Sequence, residues 1–149
     1  MPRTPANTRG ASITGWGRAL PDKVVTNVDL EKTLDTNDEW IQERTGIKQR
    51  RWIKEGSDET SATMGAKAAE IAIERAGLTK DDIDFIVFAT LSPDFYFPGC
   101  GVQIQEMLDM DTVGALDVRN QCSGFVYALS TADQFIKTGM YKNILVIGS

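Results

Sequence analysis

The sequence predicts an α/β fold in which helices cover both faces of a mainly parallel sheet. Short, continuously apolar runs such as residues 85–89 and 143–147 are typical of strands that are buried on both faces. Between them, apolar residues recur every three or four positions, which is the spacing of amphipathic helices. This alternation implies right-handed crossovers between parallel strands, with helices on either side of the sheet.

The first predicted elements are short. Residues 1–11 are mostly polar and contain two prolines, which is typical of a tail. Residues 12–20 predict a first strand that ends before Pro21, because the residue preceding a proline favours extended backbone. A short helix is expected next, with Asn27 as its N-cap, and a second helix begins near Asn37.

The second helix is predicted to end at Gly46, and the charged residues 48–58 predict an exposed loop or ribbon. Residues 60–76 predict a long amphipathic helix, and Gly77 stands where a glycine often ends one. The apolar stripe of this helix is formed by Met64, Ala68, Ile71, Ala72 and Ala76.

The rest of the chain continues the alternation. Strands are predicted at residues 85–89, 113–118 and 143–147, and helices at 99–110 and from about 122 to 139. A central apolar strand with nothing after it suggests that the natural polypeptide continues beyond Ser149.

The composition excludes several classes of protein. With 149 residues, 42% hydrophobic and 25% charged, the chain fits one globular domain. A net charge of −5 without a basic stripe argues against nucleic-acid binding. No apolar run reaches the roughly 18 residues of a membrane helix, and residues 1–11 lack the apolar core of a signal peptide. We therefore expect a cytoplasmic protein that does not enter a membrane.

The absence of histidine limits the chemistry of these residues. The two cysteines, Cys100 and Cys122, form no CxxC pair, so a metal site is not expected. Neither a Ser-His-Asp nor a Cys-His arrangement can be completed without imidazole. If the chemistry is acyl transfer, its base lies elsewhere.

Cys122 is nevertheless a candidate nucleophile. Residues 117–125 predict a strand, a tight bend and a cysteine at the start of a helix, where the helix dipole stabilises a thiolate. Most free cysteines are instead inert and buried, and spacing alone favours that interpretation. Gly124 is unusual in a first helical turn and indicates close approach of a ligand or another backbone.

Several motifs together resemble the β-ketoacyl-acyl-carrier-protein synthase III family, and the resemblance runs from residue 12 to residue 149. The motifs are Asp38-Glu39-Trp40-Ile41 with Arg44-Thr45-Gly46-Ile47, Phe97-Pro98 with Gln103-Ile104-Gln105, and Cys122-Ser123-Gly124-Phe125 with Tyr127-Ala128-Leu129. The resemblance implies a thiolase-like fold of two βαβαβαββ halves. Residues 12–149 would form the first, N-terminal half without its final strand, and the C-terminal half would be absent.

The resemblance also implies a function. Family members condense an acyl-CoA with malonyl-acyl-carrier protein, with loss of CO₂, through an acyl group held on a cysteine, and so begin fatty-acid synthesis. Acyl-CoA is a substrate, and no cofactor is implied. The catalytic His and Asn of the family lie in the second half. Residues 1–149 alone are therefore expected to be inactive and prone to associate, whereas the family is typically a homodimer.

Five residues match family positions with known roles. Cys122 matches the nucleophile, Trp40 and Arg44 match residues that hold the CoA adenine, and Thr45 matches a contact to the nucleotide. Phe97 matches a residue that lines the acyl pocket of the partner subunit. Independently of the resemblance, Trp40 and Arg44 are four positions apart on a predicted helix and so share a face. A partly buried tryptophan, a solvated arginine and a core phenylalanine are the alternatives.

The chain departs from the family where Arg119-Asn120-Gln121 replaces small residues before the cysteine, which leaves the acyl-chain preference open. Two other functions also remain open. One is a related thiolase-superfamily acyltransferase or condensing enzyme of secondary metabolism. The other is a non-catalytic half-domain that binds CoA or a protein partner.

Overall fold

The computed structural model describes residues 10–149, which fall into two compact units. One unit consists of residues 20–59. The other combines residues 60–149 with the preceding residues 10–19. Most of the expected tail, residues 1–9, lies outside the described part of the chain. Within residues 10–149, no helix is long and apolar enough to cross a membrane.

The smaller unit is a two-stranded ribbon with two short helices. Its elements are β1 (Lys23–Thr26), α1 (Asn27–Glu31), α2 (Asp38–Thr45) and β2 (Gln49–Trp52). The two strands pair antiparallel, so the charged segment 48–58 is a ribbon over part of its length, one of the two predicted alternatives. Helix α2 begins after Asn37 and ends at Gly46, which has a positive φ of 71°, and both boundaries confirm the prediction.

Asn27 is not the N-cap that the sequence predicted. Thr26 caps α1, because its hydroxyl oxygen accepts from the N–H of Asp29 at 3.2 Å and the Asp29 carboxylate accepts from the N–H of Thr26 at 3.0 Å. The Asn27 side chain is buried, and its amide donates to Asp38 and to the Ile47 carbonyl, both at 2.7 Å. Its amide oxygen accepts from Arg50 at 2.8 Å.

The larger unit contains a parallel three-stranded sheet with helices on both faces, as predicted. The strand order is β4-β3-β5, and β3 pairs with both neighbours. The elements are α3 (Ser61–Arg75), β3 (Phe85–Ala89), α4 (Cys100–Met107), β4 (Gly114–Val118), α5 (Gly124–Lys137) and β5 (Ile144–Gly148). Their bounds agree with the predicted ones within a few residues.

Side chains of β3 alternate between two cores. Ile86 and Phe88 are completely buried with Ile104 against helices α3 and α4. Val87 points to the opposite face and packs with Ala128 of α5. The continuous apolar run of β3 is therefore explained by burial on both faces of the sheet.

Residues 12–20 do not form the predicted strand. Gly15 lies against Ala72 and Gly17 against Ala68, so two residues of this segment span about one turn of α3. Two residues cover the length of a helical turn only when their backbone is extended, as the sequence indicated. A strand also needs a neighbouring strand with which its backbone pairs, and among the described residues this segment has none.

Helix α3 accordingly packs on two faces. The predicted stripe of Ala68, Ala72 and Ala76 is only partly buried and faces Gly15 and Gly17. The fully buried face is a different one, formed by Ala62, Gly65, Ala66, Ala69 and Ile73. The predicted face was wrong because alanine occurs on both faces of α3 and so does not distinguish them.

The Asn27→Ala variant should lower the free energy of unfolding by about 2–4 kcal/mol, because it leaves Asp38 and Arg50 without a buried partner. Urea unfolding of the intact protein measures this loss. Lys32→Ala is the control, since it removes only a surface ion pair with Asp29 and should cost less than about 1 kcal/mol. Equal losses in the two variants would contradict the role of Asn27.

Gly17→Ala should destabilise the protein by about 1–3 kcal/mol, because the new methyl group would collide with the backbone oxygen of Ala68 and lie 2.9 Å from Ile71 Cβ. Thermal unfolding measures the effect. Gly10→Ala is the matched control, because its methyl group would meet nothing within 4 Å. A Gly17→Ala protein as stable as the control would show that residues 12–20 do not pack on α3.

Candidate active site

The topology of the larger unit singles out the end of the sheet where strands β3 and β4 reach their carboxyl termini. The connection from β3 runs through α4 on one face, whereas the connection from the adjacent strand β4 runs through α5 on the other. Ligands bind α/β sheets at such a point, beyond the carboxyl ends of the strands. Two segments leave from this point. We call residues 91–99 the aromatic loop and residues 119–123 the cysteine bend.

Cys122 lies in the cysteine bend and is exposed. The N–H of Gly124 donates to the Gln121 carbonyl at 2.8 Å, which closes a tight turn around Cys122 and Ser123. Helix α5 begins directly afterwards, with Ser123 as its N-cap. Cys122 therefore stands immediately before the N-terminus of a fourteen-residue helix, the end that carries partial positive charge.

Within the described residues, Cys122 is therefore not part of a buried core. The close backbone approach predicted from Gly124 is absent among the described residues. A Cβ at this position would lie 3.8 Å from Ala89 Cβ and 3.9 Å from Asn120 Cβ, which are ordinary contacts. Neither contact requires glycine at position 124.

Cys100 is in the opposite situation. It is the first residue of α4 and is completely buried. Burial raises the pKa of the Cys100 thiol, because the thiolate loses its hydration. Of the two unpaired cysteines, only Cys122 is therefore available to a reagent or substrate.

The aromatic loop presents three exposed rings, those of Phe95, Tyr96 and Phe97. Phe97 has 92% of its surface accessible, so it does not pack in a core formed by the described residues. The loop is also anchored. The Asp94 carboxylate accepts from the Thr60 hydroxyl at 2.6 Å and from the Ser61 N–H at 2.9 Å at the start of α3.

Trp40 and Arg44 lie together on α2, in the smaller unit. The Arg44 guanidinium carbon is 5.5 Å from the centre of the Trp40 indole, and 51% of the Trp40 surface is accessible. The shared face predicted from their spacing is present. A flat ring stacked between them needs about 7 Å, or twice the usual contact distance. Arg44 must therefore swing away before a nucleobase can enter.

Thr45 completes the smaller unit's candidate residues. Its hydroxyl donates to the Ile41 carbonyl at 2.7 Å and accepts from the N–H of Ile47 at 3.1 Å. These bonds fix the last turn of α2 beside Gly46. The structure thus places Trp40, Arg44 and Thr45 in one unit, and Cys122 and Phe97 in the other.

The carboxylates that hold the aromatic loop, Asp94 and Asp117, do not follow from the sequence pattern. Asp94 and Asp117 both accept backbone N–H groups from the first turn of a helix, α3 and α4 respectively. Neither aspartate lies next to its helix in the sequence, so local cap patterns do not reveal them. The sequence feature that could have revealed the Asp117 cap is the pair Gly99 and Gly101 at the start of α4. Their missing side chains leave room for a carboxylate from a distant part of the chain.

The fold and this cysteine place the chain among the thiolase-fold proteins. The structure superposes on the crystal structure of 3-oxoacyl-[acyl-carrier-protein] synthase III from Aquifex aeolicus VF5 with a TM-score of 0.88 and 49% identity, over 92% of this chain and 44% of that chain. It also superposes on a priming β-ketosynthase from the R1128 polyketide biosynthetic pathway, with a TM-score of 0.89 and 33% identity, over 99% of this chain and 43% of that one.

Sequence comparison specifies the family. A β-ketoacyl-[acyl-carrier-protein] synthase III of Rhizobium meliloti is 52% identical over 92% of this chain and 42% of its own length. A synthase III 1 of Vibrio vulnificus is 54% identical over 93% of this chain and 43% of its own length. The family model of 3-oxoacyl-[acyl-carrier-protein] synthase III matches residues 116–149. The chain belongs to this family and spans about two fifths of the length of these relatives.

Proposed function

We propose that this chain supplies the nucleophile and part of the acyl-CoA site of a condensing enzyme that begins fatty-acid synthesis. Residues 12–149 would be the N-terminal half of that enzyme. The observation that carries the proposal is the exposed Cys122 at the carboxyl edge of the sheet and the start of α5. Relatives more than 50% identical to this chain are named for the same synthase activity.

The proposed reaction has two steps at one sulfur. The Cys122 thiolate attacks the thioester carbonyl of an acyl-CoA, CoA leaves as a thiolate, and the acyl group remains on Cys122. Malonyl-acyl-carrier protein then loses CO₂, and the carbanion attacks the new thioester. The carbon–carbon bond forms as the bond to Cys122 breaks, which returns the thiolate.

The chain's own residues account for part of this chemistry. The partial positive charge at the start of α5 would stabilise negative charge that forms beside it during the reaction. The N–H of Cys122 can donate to the oxyanion that forms during each attack. No imidazole is present in the 149 residues. The family resemblance assigns the catalytic His and Asn to the second half of the polypeptide. The group that accepts the proton of the Cys122 thiol would therefore come from that half.

Trp40, Arg44 and Thr45 are the proposed contacts to CoA. The accessible Trp40 indole offers a surface on which an adenine can stack, and the Arg44 guanidinium can move to its other side or pair with a phosphate. Phe97 is proposed to line an acyl pocket. Its ring is exposed in the described chain and would be covered by an acyl chain or by a second subunit.

We further propose that the protein acts as a cytoplasmic homodimer. The support is the cluster of three exposed rings at Phe95, Tyr96 and Phe97, since exposed apolar patches often mark an interface. Sedimentation of the intact protein tests this state, and a monomer at all concentrations would contradict it.

A related condensing enzyme of secondary metabolism is the second candidate. Its support is the structural likeness to the R1128 priming β-ketosynthase. Product analysis with malonyl-acyl-carrier protein and with other acyl acceptors separates the two functions. In the same structural comparison, the identity is 33% to that protein and 49% to the Aquifex synthase III, which favours fatty-acid synthesis.

The intact protein incubated with acetyl-CoA should carry one acetyl group on the peptide that contains Cys122, detected by mass spectrometry. Cys122→Ser should abolish this label, and Cys100→Ser should retain it, because the Cys100 thiol is buried. A label on Cys100, or one that persists in Cys122→Ser, would contradict the assignment of the nucleophile.

Arg44→Ala should raise the KM for acyl-CoA about tenfold with little change in kcat, because it removes a charge-assisted contact made in both ground and transition states. Initial rates over a range of acyl-CoA concentrations measure this split. Lys48→Ala removes another exposed cation from the same unit and is the control. Equal changes in KM for the two variants would leave Arg44 as an ordinary solvated arginine.

A further inference from the structure

The Asp117 carboxylate lies across the N-terminus of α4. It projects from β4, and its Oδ2 accepts from the Cys100 N–H at 2.6 Å while Oδ1 accepts from the Gly101 N–H at 2.9 Å. The first turn of a helix leaves its N–H groups without partners inside the helix and carries partial positive charge. Asp117 therefore supplies both hydrogen-bond acceptors and negative charge to the start of α4. It stands 16 or 17 residues further along the chain than the residues it contacts.

Two glycines make room for this carboxylate. A Cβ on Gly99 would lie 2.5 Å from Asp117 Oδ2, and a Cβ on Gly101 would lie 2.9 Å from Oδ1. Either methyl group would displace the carboxylate. The start of α4 is thus shaped to receive Asp117.

Arg119 makes a second link to the aromatic loop. Its Nη2 donates to the Tyr96 carbonyl at 3.2 Å, and its guanidinium carbon is 4.9 Å from the centre of the Tyr96 ring. The backbone of β4 continues the sheet up to this point, since the Thr90 N–H donates to the Val118 carbonyl at 3.2 Å. Arg119 precedes Cys122 by three residues, so the link joins the aromatic loop to the cysteine bend.

These contacts hold the aromatic loop at its middle and at its C-terminal end. Asp94 fixes its middle to the start of α3, and Asp117 fixes its end through the start of α4. The rings of Phe95, Tyr96 and Phe97 remain outside these polar contacts and exposed. Apolar side chains with no cover of their own are therefore fixed relative to the segment that carries the thiol.

We propose that Asp117 and Arg119 are positioning residues that fix the aromatic loop, including Phe97, and thereby determine which acyl chains the acyl pocket lined by Phe97 accepts. The proposal rests on the proposed acyl transfer at Cys122. Asp117 holds the backbone that follows Phe97, and Arg119 holds the backbone of Tyr96, next to Phe97. Because Arg119 stands where many family members have a small residue, its link to Tyr96 would be a property of this chain.

The test compares Asp117→Asn and Arg119→Ala with the wild type in the intact protein. In Asp117→Asn, an NH₂ group replaces one of the two carboxylate oxygens. This group cannot accept a hydrogen bond, so one of the two contacts to the start of α4 is lost. Acylation rates of Cys122 are measured with a series of straight-chain substrates from acetyl-CoA to decanoyl-CoA. Both variants should change the ratio of kcat/KM between long and short chains by about fivefold or more.

A second measurement reports on the contacts between Asp117 and the start of α4, and it does not depend on enzymatic activity. Release of the α4 N-terminus should let a thiol reagent reach Cys100 about tenfold faster in Asp117→Asn, measured by peptide mapping. Arg119→Ala leaves the Asp117 contacts in place and should not expose Cys100. Asp109→Asn is the matched control for charge, because Asp109 is exposed and its positive φ of 48° suits asparagine. It should match the wild type in both readouts.

The outcomes separate this proposal from the function on which it rests. Slower acylation by the same factor for every chain length, with an unchanged selectivity ratio, would overturn the positioning role and leave Asp117 as a structural cap. Unchanged protection of Cys100 in Asp117→Asn would overturn the anchor. A wild-type protein that accepts no acyl group would overturn the proposed function and the role in chain selection, while the Cys100 readout would still decide the anchor.

Discussion

The parallel pairing of β3 with two strands at once is the constraint on which the candidate site depends. β3 lies between β4 and β5, and its residues Ile86, Val87 and Phe88 are completely buried. Backbone bonds continue past the strand ends, where the Thr90 N–H reaches the Val118 carbonyl and the Ser149 N–H reaches the Ala89 carbonyl. The carboxyl ends of all three strands therefore meet at one edge. The aromatic loop follows β3 and the cysteine bend follows β4, so both segments leave the sheet at this edge. They then diverge, because helices α4 and α5 lie on opposite faces.

Polar contacts at helix ends turn this topology into a defined site. Helices α3 and α4 both begin under a carboxylate from a distant part of the chain, Asp94 for α3 and Asp117 for α4. A cap from a neighbouring residue stabilises only its own helix, whereas these caps also tie α3 to the aromatic loop and α4 to strand β4. The same residues thus stabilise the fold and fix the loop that bears Phe97. In the smaller unit, Asn27 plays a comparable role by joining α1, α2 and β2 through Asp38 and Arg50.

The sequence predicts well those features that depend on a single segment. The apolar run of β3, the boundaries of α2 at Asn37 and Gly46, and the shared face of Trp40 and Arg44 all follow from local patterns. Features that depend on a distant partner were missed or wrong. Residues 12–20 are extended but have no neighbouring strand among the described residues, and α3 uses alanines on two faces, which hid its buried one. The exposure of Cys122 did not follow from its spacing, because a bend before a helix suits a buried thiol as well as a reactive one.

The bend between β4 and α5 presents Cys122, whereas the start of α4 buries Cys100. The rates at which the two thiols of the wild-type protein react with a small, uncharged alkylating reagent measure this difference without assuming a substrate. Peptide mapping over time should show Cys122 modified at least about a hundredfold faster than Cys100, because modification of Cys100 requires local opening of the core. Equal rates, or faster modification of Cys100, would contradict the account.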